Sequence, residues 1–453
     1  MRDILILMVF SYGALKALRA PYNGALLWVW IGLMNPHRLG WGIAYSMPLA
    51  MISAVLIVVG AATNSKRISS PMAPPVTVLI IYMIWMGITA VTAIHQADSL
   101  AVYYDVLKVF IMVLVVASTL QTREQITGFV GVTAMSIAYF GAKGGLFTLM
   151  TGGSFRVWGP PASVVEGNNE LAVALVITIP LLYFLAQQVD KVVELPVLRP
   201  FGRTWVRRAI YVVMALCAVA AIGSHSRGAL LSIGAMSSVF WWRSKSKVTI
   251  GLVLILLAPA LFFFMPDEWT SRMGTIKTYD QDESALGRIN AWMMATNIAN
   301  SRILGAGFLT ATPLVFQMYA PEPNNVLVAH SIYFQVLGQH GYIGLFLYLL
   351  FWGLTYRTAG RLMKLSAGRP DLEWAGLLGS MVKVSLIGFA VGGAFLSLAN
   401  WDMPFYFMGI VVMTEKLVRK KLSEEPAAAR PTPAPQGGPA VPDEIDRLRA
   451  SMH

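Results

Sequence analysis

Long apolar stretches recur along the whole chain, and they constrain the fold more than any other feature of the sequence. Crossing the hydrocarbon core of a bilayer takes about 20 mostly apolar residues. Segments of that kind follow one another here, separated by short connections that are polar or contain proline and glycine. Only 13% of the residues are charged and 56% are hydrophobic, whereas a soluble domain carries roughly 25% charged residues. The sequence therefore predicts an all-α, polytopic membrane protein.

The apolar segments predict about 12–13 transmembrane helices. The exact number depends on the first residues, where Lys16, Arg19 and Pro21 divide one apolar region into two short pieces. The predicted spans are roughly 3–18, 22–34, 46–62, 76–94, 101–119, 126–150, 169–187, 209–224, 227–242, 248–265, 331–355, 376–398 and 403–415.

Lysine and arginine residues are concentrated in alternate loops. Such loops stay on the cytoplasmic side during insertion, so the pattern predicts a multi-pass protein of the bacterial inner membrane with a cytoplasmic C-terminus. The net charge of +12 is then mainly a signal of topology. Because the basic residues are distributed over several loops, they do not indicate binding to nucleic acid. The basic loops contain Lys66, Arg67, Arg123, Lys191, Arg199, Arg203, Arg207, Arg208, Arg243, Lys245, Lys247, Arg357, Arg361, Lys364, Arg369, Lys416, Arg419, Lys420 and Lys421.

Composition divides the chain into three regions. We expect an N-terminal transmembrane region at 1–120, a transmembrane core at 121–421 and a disordered cytoplasmic tail at 422–453, because the tail is rich in proline and alanine and cannot bury a core. The core contains one long connection, 266–329, which is predicted to be periplasmic. Its stretch from Ser284 has apolar residues at helical spacing, which indicates a short helix at the membrane interface. We expect this loop to cover an active site.

The cysteine and histidine residues give no support for a metal site. The only cysteine, Cys217, lies inside an apolar span, which excludes a disulfide framework within the chain and a cysteine-based metal centre. None of the six histidines has another histidine four residues away, the spacing that places two ligands on one face of a helix. We therefore expect no metal and no other cofactor.

Two clusters of polar residues lie in predicted periplasmic connections. The segment RVWGPPASVVEGNN carries Arg156, Asn168 and Asn169 before an apolar span, and its glycines and prolines are typical of an irregular loop. It is either a functional loop or an ordinary connection. In GSHSRGALLS, His225 and Arg227 occupy a turn between two apolar segments. An arginine there is costly unless it faces a wet cavity, an anion or the headgroup region.

Two further residues lie in or next to the long connection. Arg288 belongs to the predicted interface helix, where an arginine by itself indicates only a solvated or headgroup-facing charge. His330 precedes a long span, and His340 follows about 15 Å further along a regular helix, so the two histidines do not form a pair. Arginine binds phosphate oxygens through its planar guanidinium, and histidine titrates near neutrality. Together these residues suit an anionic, lipid-linked substrate.

Several motifs made of these residues resemble the O-antigen ligase and polymerase superfamily of membrane glycosyltransferases. SHSRGALL, ALGRINAW and AHSIYFQVLGQHGYIGL are similar to segments that occur throughout the superfamily. The opening RDILILMVF and the stretches PYNGALLWVWIGLMNPHRLGWGIAYSMP and GAKGGLFTLMTGGSFRVWGPPASVVEGNNELAVAL are most similar to the O-glycosylation ligase associated with the exosortase A system. The resemblance runs nearly end to end, the Pro/Ala-rich tail excepted, and it makes 121–421 an O-antigen-ligase-like core.

The resemblance implies that a glycan is transferred from undecaprenyl diphosphate to a hydroxyl of a glycolipid or protein acceptor at the periplasmic face, without a metal. It implies that His330 is catalytic and that Arg227 and Arg288 bind the diphosphate. We hypothesise a direct displacement that inverts the anomeric carbon. Many members have an acidic residue where this chain has Gln339 or His340, so no role for a carboxylate is assigned there. Secondary candidates for substrate contacts are Arg156, Asn168, Asn169 and His225.

Three other functions are compatible with a membrane protein of this composition. A polymerase of the same superfamily would use the same site and accept a growing lipid-linked glycan, and the residues do not distinguish the two acceptors. A transporter of lipid-linked sugars is expected to contain internal repeats and broken helices at the bilayer midplane, and the sequence has no evident repeat. A structural scaffold does not require arginine and histidine clusters on one side of the membrane.

Overall fold

The computed structural model describes residues 2–63, 68–194, 199–243 and 283–425. Within these ranges the chain is helical and contains no strand. This agrees with the predicted all-α membrane fold. The predicted span 248–265, residues 266–282 of the long connection and residues 426–453 of the predicted tail lie outside the described residues.

The described residues form sixteen α-helices, numbered in chain order. They are α1 Arg2–Ala17, α2 Pro21–Met34, α3 Ile43–Ser46, α4 Leu49–Thr63, α5 Pro74–Val91, α6 Gln96–Ser118, α7 Arg123–Met150, α8 Asn168–Gln187, α9 Val189–Val192, α10 Gly202–Gly223, α11 Arg227–Arg243, α12 Glu283–Ser301, α13 Pro313–Tyr319, α14 Ile332–Leu365, α15 Glu373–Gly393 and α16 Asp402–Glu424. Short 3₁₀ turns lie at Pro36–Leu39, Arg199–Phe201 and Pro370–Leu372.

Every predicted span except 248–265 coincides with one of these helices. Seven described segments are long and apolar enough to cross a membrane on their own: α5, α6, α7, α8, α14, Arg199–Gly223, which contains α10, and Pro370–Gly393, which contains α15. Helices α1, α2, α4 and α11 have 14–17 residues and are shorter. The predicted break at Pro21 separates α1 from α2, as the proline and the charged residues before it indicate.

Helix α8 lies at the centre of the bundle. It packs against α7, α10, α11 and α15, and most of its side chains from Leu171 to Ala186 are buried. A helix that is apolar on all sides belongs in the interior of a bundle. Helix α14 packs against α5, α12, α15 and α16 on the other side of the core. The two groups share α15, which contacts both α8 and α14.

Glycines allow α7 and α10 to approach each other closely. A methyl group on Gly145 would lie 2.9 Å from Leu216 Cα, and one on Gly144 would lie 3.3 Å from Ala220 Cβ. Small residues at such contacts let two backbones approach, which increases van der Waals contact between helices in a membrane. The close contact fixes the outer ends of α7 and α10, from which two loops of the candidate site begin.

The connections of the bundle meet one another at two opposite ends. At one end, Ile94 N–H donates to Ala306 O at 3.1 Å, and the loop after α7 pairs with the end of α10. The predicted periplasmic connections therefore share one end, which we call the site end. At the other end the predicted cytoplasmic loops pair through charged groups, as in Arg361 with Glu415 at 3.0 Å.

Gly145→Ala should lower the thermal unfolding temperature of the purified protein, because the added methyl group meets the backbone of α10. Overpacking of this kind typically costs about 1–3 kcal/mol. Gly131→Ala is the matched control in the same helix, since its methyl group would have no neighbour closer than 3.9 Å. In a helix interior this control should be neutral or stabilising by up to about 1 kcal/mol. Equal stability of both variants would contradict the close-contact account.

Candidate active site

The backbone of His330 is held on both sides at the site end. Its N–H donates to Ser397 Oγ at 3.1 Å, and the carbonyl of Ala329 accepts a hydrogen bond from Trp292 Nε1 at 2.6 Å. The φ angle of His330 is 43°, in the left-handed region that a non-glycine residue seldom adopts. Such backbone strain is found preferentially at functional sites. The surrounding contacts hold His330 in one conformation just before α14.

Helix α12 supplies both Trp292 and Arg288. Four residues separate them, so they lie on the same face of the helix. The Trp292 ring also stacks on Phe334 of α14, with ring centroids 5.0 Å apart and an interplanar angle of 8°. The face of α12 that carries Arg288 is therefore turned toward the beginning of α14 and toward His330.

Asn290 fixes the position of α12 along the segment that leads to His330. Its Nδ2 donates to Glu322 O at 2.9 Å and to Asn325 O at 3.1 Å, while its Oδ1 accepts from Glu322 N at 2.9 Å. Asn290 is 4% exposed, so these bonds also satisfy a buried amide. The part of the predicted interface helix that the structure describes is thus packed against its own loop and α14.

The charge of Arg288 acts directly on His330. Burial is the main cause that lowers the pKa of the His330 imidazole below its ordinary value, and the nearby Arg288 guanidinium lowers this pKa further. Both effects disfavour the imidazolium form. His330 is therefore neutral at pH 7 and has a ring nitrogen that can accept a hydrogen bond or a proton.

The turn between α10 and α11 carries Arg227 as the first residue of α11. His225, at φ 58°, is buried, and its Nε2 donates to Gly153 O at 2.8 Å. Asn168 Nδ2 donates to Ser224 O at 2.7 Å. His225 and Asn168, both secondary candidates for substrate contacts, are thus used to hold the turn. Arg227 itself is half-buried at the site end.

The segment between α15 and α16 connects this turn to His330. A methyl group on Gly228 would lie 3.5 Å from Phe395 Cβ, and Ser397 accepts the hydrogen bond from His330 N–H. The N-termini of α11 and α14 therefore flank this segment, and the Asn168–Ser224 bond attaches the N-terminus of α8 to the same turn. Helix N-termini carry partial positive charge and favour bound anions. The positive charge of Arg227 and Arg288 adds to this field.

The two other secondary candidates lie beside this cluster. Arg156 is exposed in the loop after α7, one residue before Val157, whose N–H donates to Gly223 O at 3.2 Å. Asn169 is half-buried in the first turn of α8. Both residues are close in sequence to groups that hold the Arg227 turn.

Sequence reasoning missed Glu170, Ser397 and Trp292. Glu170 is half-buried in the first turn of α8, within electrostatic reach of Arg288. A carboxylate at the start of an apolar span was the available signal, because charges near such spans usually have a specific partner. Trp292 stands in the ALGRINAW motif, but its contact with the backbone around His330, like that of Ser397, depends on the tertiary fold and does not follow from the sequence.

His340 lies deeper in the bundle and apart from this cluster. It is fully buried, its Nδ1 is 2.7 Å from Thr89 Oγ1, and Phe308 packs edge-on against its ring with centroids 4.8 Å apart. Thr89 Oγ1 also lies 2.9 Å from Met86 O, so the Thr89 hydroxyl joins the His340 ring to the backbone of α5. His340 therefore has the contacts of a packing residue.

Among the described residues, no group of three or more His, Cys, Asp or Glu side chains could hold a metal ion. The structure brings Arg288 near His330 and within electrostatic reach of Glu170, with Arg227 across the segment between α15 and α16. Two guanidinium groups suit an anion with several oxygens, and a neutral imidazole suits a hydroxyl group. The arrangement can bind a diphosphate next to a proton acceptor.

Two family models match this chain. Residues 212–349 match a family described as O-antigen ligase, and residues 1–190 match a family of unknown function, DUF5935. No curated protein matches the sequence. The first match contains Arg227, Arg288 and His330, and it supports the superfamily that the sequence motifs indicate. Together with the membrane-spanning helices, it supports an O-antigen ligase-like membrane enzyme, a family that suggests glycosyl transfer.

His340→Ala should lower the thermal unfolding temperature markedly, because it removes a fully buried ring and leaves a cavity. Truncation of large buried side chains typically costs about 2–5 kcal/mol. His330→Ala is the comparison, since its ring is only partly buried and the contacts that hold its backbone remain. We expect little change in its unfolding temperature in detergent. A larger loss for His330→Ala than for His340→Ala would contradict these assignments.

Proposed function

We propose that this protein is a glycosyltransferase that moves a glycan from undecaprenyl diphosphate to an acceptor hydroxyl at the periplasmic face of the bacterial inner membrane. The observation that carries the proposal is the placement of Arg288 beside a neutral, backbone-constrained His330, with Arg227 on the adjoining turn. The match of residues 212–349 to the O-antigen ligase family supports the same chemistry. The acceptor is a hydroxyl of a glycolipid or of a protein.

The reaction is a direct displacement at the anomeric carbon. The acceptor oxygen forms a bond to that carbon while the bond to the diphosphate oxygen breaks, so the configuration inverts. The leaving diphosphate gains negative charge as this bond breaks. Arg227, Arg288 and the N-termini of α8 and α11 supply prepositioned positive charge, which stabilises the transition state more strongly in a water-poor cleft. These groups make a metal ion unnecessary for leaving-group stabilisation.

His330 receives the proton of the acceptor hydroxyl. Its lowered pKa keeps the imidazole neutral before the reaction, and the proton passes to water after the transfer. A positioned base of this type typically accelerates a reaction by about 10²–10⁴-fold. The left-handed conformation of His330 and the hydrogen bond from Trp292 to the carbonyl of the preceding residue fix the backbone from which the imidazole ring extends.

The charge distribution supports the orientation. The basic loops collect at the end opposite the site, where Lys421 pairs with Asp371 at 2.6 Å and Arg369 with Glu425 at 2.6 Å. Positively charged loops remain in the cytoplasm, so the site end is periplasmic and α16 leads to a cytoplasmic C-terminus. The motifs of residues 1–190 favour the subgroup of O-glycosylation ligases associated with the exosortase A system.

Incubation of purified protein with an undecaprenyl-diphosphate-linked glycan and candidate acceptors should give a product of one transfer, detected by mass spectrometry, and EDTA should not reduce its formation. Arg227→Ala and Arg288→Ala should each lower kcat/KM by about 10²–10³-fold, and lysine should restore little because it lacks the planar fork. His330→Ala should lower turnover by about 10²–10⁴-fold.

The control for this assay is Arg203→Ala, since Arg203 pairs with Asp190 at the opposite end, at 3.1 Å. It should leave the transfer unchanged. A ladder of lengthening glycans would identify a polymerase instead of a ligase. Full activity of all three site variants, or loss of activity in EDTA that one divalent ion restores, would contradict the proposal.

The pH dependence of kcat/KM should show an acid limb with its midpoint below about pH 6.5, the ordinary pKa of histidine. Activity needs neutral His330, so it should rise as the pH increases through the lowered pKa. Arg288→Gln removes one cause of the lowering, so the midpoint should move upward in the residual activity of this variant, while Arg288→Lys should keep it low. An acid limb above pH 6.5, or one that does not move in Arg288→Gln, would contradict the assigned role of His330.

A further inference from the structure

Two adjoining grooves on the outside of the bundle are large and apolar, and neither is lined by a residue of the candidate active site. We propose that they bind one phospholipid with a zwitterionic ethanolamine headgroup. The two acyl chains occupy the grooves, and the headgroup contacts lysine and glutamate side chains at the end opposite the site. This inference goes beyond the proposed function and does not depend on glycosyl transfer.

The larger groove lies between α2 and α10 and has α7 as its floor. Both helices pack on α7, and the space between them has a volume of about 1130 Å³. Two glycines of α7 keep the floor open. A methyl group on Gly131 would have no neighbour closer than 3.9 Å, and the Tyr22 hydroxyl lies against Gly128. The apolar lining includes Leu26, Val132, Met135, Val206, Ile210 and Val213.

The smaller groove adjoins the larger one. It has a volume of about 620 Å³ and is lined mainly by α1, α2 and α7. The two grooves open onto each other, because both are lined by Asn23, Leu26, Val132, Met135 and Val213. Two connected apolar spaces suit the two acyl chains of one phospholipid.

The larger groove has the depth of one leaflet of a bilayer. Its floor helix α7 and the segment that contains α10 are both long and apolar enough to cross a membrane. Along α7 the lining runs from Glu124 to Met135, which is about 16 Å of helix at 1.5 Å per residue. Half of the hydrocarbon core is about 15 Å thick. Apolar cavities do not hold water, so acyl chains are the occupants that the bilayer supplies.

The charged side chains of the larger groove are at the end opposite the site. Lys191 Nζ lies 3.4 Å from Glu124 Oε1 and 3.3 Å from Glu194 Oε1. The lysine side chain is 31% exposed, and those of the two glutamates are 57% and 58% exposed, so all three are accessible to a headgroup. Trp205 lines the same end and is exposed. Tryptophan is enriched at the headgroup level of membranes.

The charges that line the two grooves are balanced. Lys16 lines the smaller groove, and Lys191, Glu124 and Glu194 line the larger one. Lys16 lies in the last turn of α1, and its carbonyl accepts a hydrogen bond from the shared residue Asn23 at 3.2 Å. Two lysines and two glutamates at one mouth complement a headgroup that carries both signs of charge.

An ethanolamine headgroup fits this mouth better than the other common headgroups. Its phosphate is a partner for the lysine ammonium groups, and its primary ammonium group donates charge-assisted hydrogen bonds to the carboxylates. A choline headgroup has the same charges but no N–H to donate. A glycerol headgroup has the phosphate but no cation for Glu124 and Glu194. The mouth should therefore distinguish these three lipids.

The test measures lipid binding to the full-length, delipidated protein in detergent by native mass spectrometry. The lipids are phosphatidylethanolamine, phosphatidylcholine and phosphatidylglycerol with the same acyl chains. Phosphatidylethanolamine should bind about tenfold more tightly than the other two, the difference expected for one charge-assisted hydrogen bond. It should also raise the unfolding temperature most, because a ligand that binds only the folded state stabilises it.

Two sets of variants test the location. Gly131→Phe should lower the affinity for all three lipids by about tenfold, because its ring fills the groove. Its fold is verified by thermal unfolding without lipid. Gly353→Phe is the matched control, since Gly353 is exposed on α14 and has no neighbour within 4 Å. The Glu124→Gln/Glu194→Gln double variant should bind phosphatidylethanolamine only as tightly as phosphatidylcholine.

Asp190→Asn is the control for the double variant, because Asp190 pairs with Arg203 at the same end, at 3.1 Å, and lines neither groove. It should keep the wild-type preference. Equal binding of the three lipids, or tighter binding of phosphatidylglycerol, would overturn the headgroup assignment. Wild-type lipid binding by Gly131→Phe would overturn the location. A dimer that forms on delipidation and is lost in Gly131→Phe would show that a second copy of the chain occupies the groove instead.

Discussion

Backbone groups inside a bilayer have no water to bond to, and this constraint shapes the whole chain. Each segment within the hydrocarbon must be a helix that satisfies its own N–H and C=O groups. Irregular backbone is tolerated only where protein or water satisfies it. The loops of the site end meet this requirement by bonding to one another, as Val157 does with Gly223 and His330 with Ser397. A rigid end of the bundle results, and rigid backbone is a prerequisite for holding reactive side chains.

The two ends of the bundle differ in how their charged side chains interact. At the end opposite the site, arginines and lysines are paired with acidic residues, and the Arg361–Glu415 contact is an example. At the site end, Arg227 and Arg288 lie near the partly buried His330, and Glu170 is within electrostatic reach of Arg288. The positive charge of the two arginines suits an anionic substrate, in keeping with the chemistry proposed for the O-antigen ligase-like segment 212–349.

Hydropathy predicted the positions of the helices well because it reports the hydrocarbon environment. It did not predict their full lengths. The span 331–355 is part of α14, which continues to Leu365, and the span 403–415 is part of α16, which continues to Glu424. The extension of α14 carries Arg361 to Glu415, the last residue of the predicted span 403–415, in a long-range pairing that local hydropathy does not contain. The left-handed break at Gly341 within α14 is likewise invisible in an apolar run.

The residue types of the site were recognisable in sequence, whereas their partners were not. Arg227, Arg288 and His330 stand in motifs with a chemical rationale. His225 and Asn168 stand in similar motifs, but their side chains hydrogen-bond to the backbone of Gly153 and Ser224. Residue type alone therefore does not distinguish a substrate-binding side chain from one that stabilises the fold. Glu170 gains its interest only from its electrostatic interaction with Arg288, which does not follow from spacing along the chain.

The location of the bound diphosphate tests the account most directly. A cryo-electron microscopy map of the slow His330→Ala variant in nanodiscs, with an undecaprenyl-diphosphate-linked glycan, would show it. We expect the diphosphate to contact both Arg288 and Arg227, with the first sugar directed toward residue 330. A diphosphate bound away from both arginines, or at the opposite end of the bundle, would contradict the central claim.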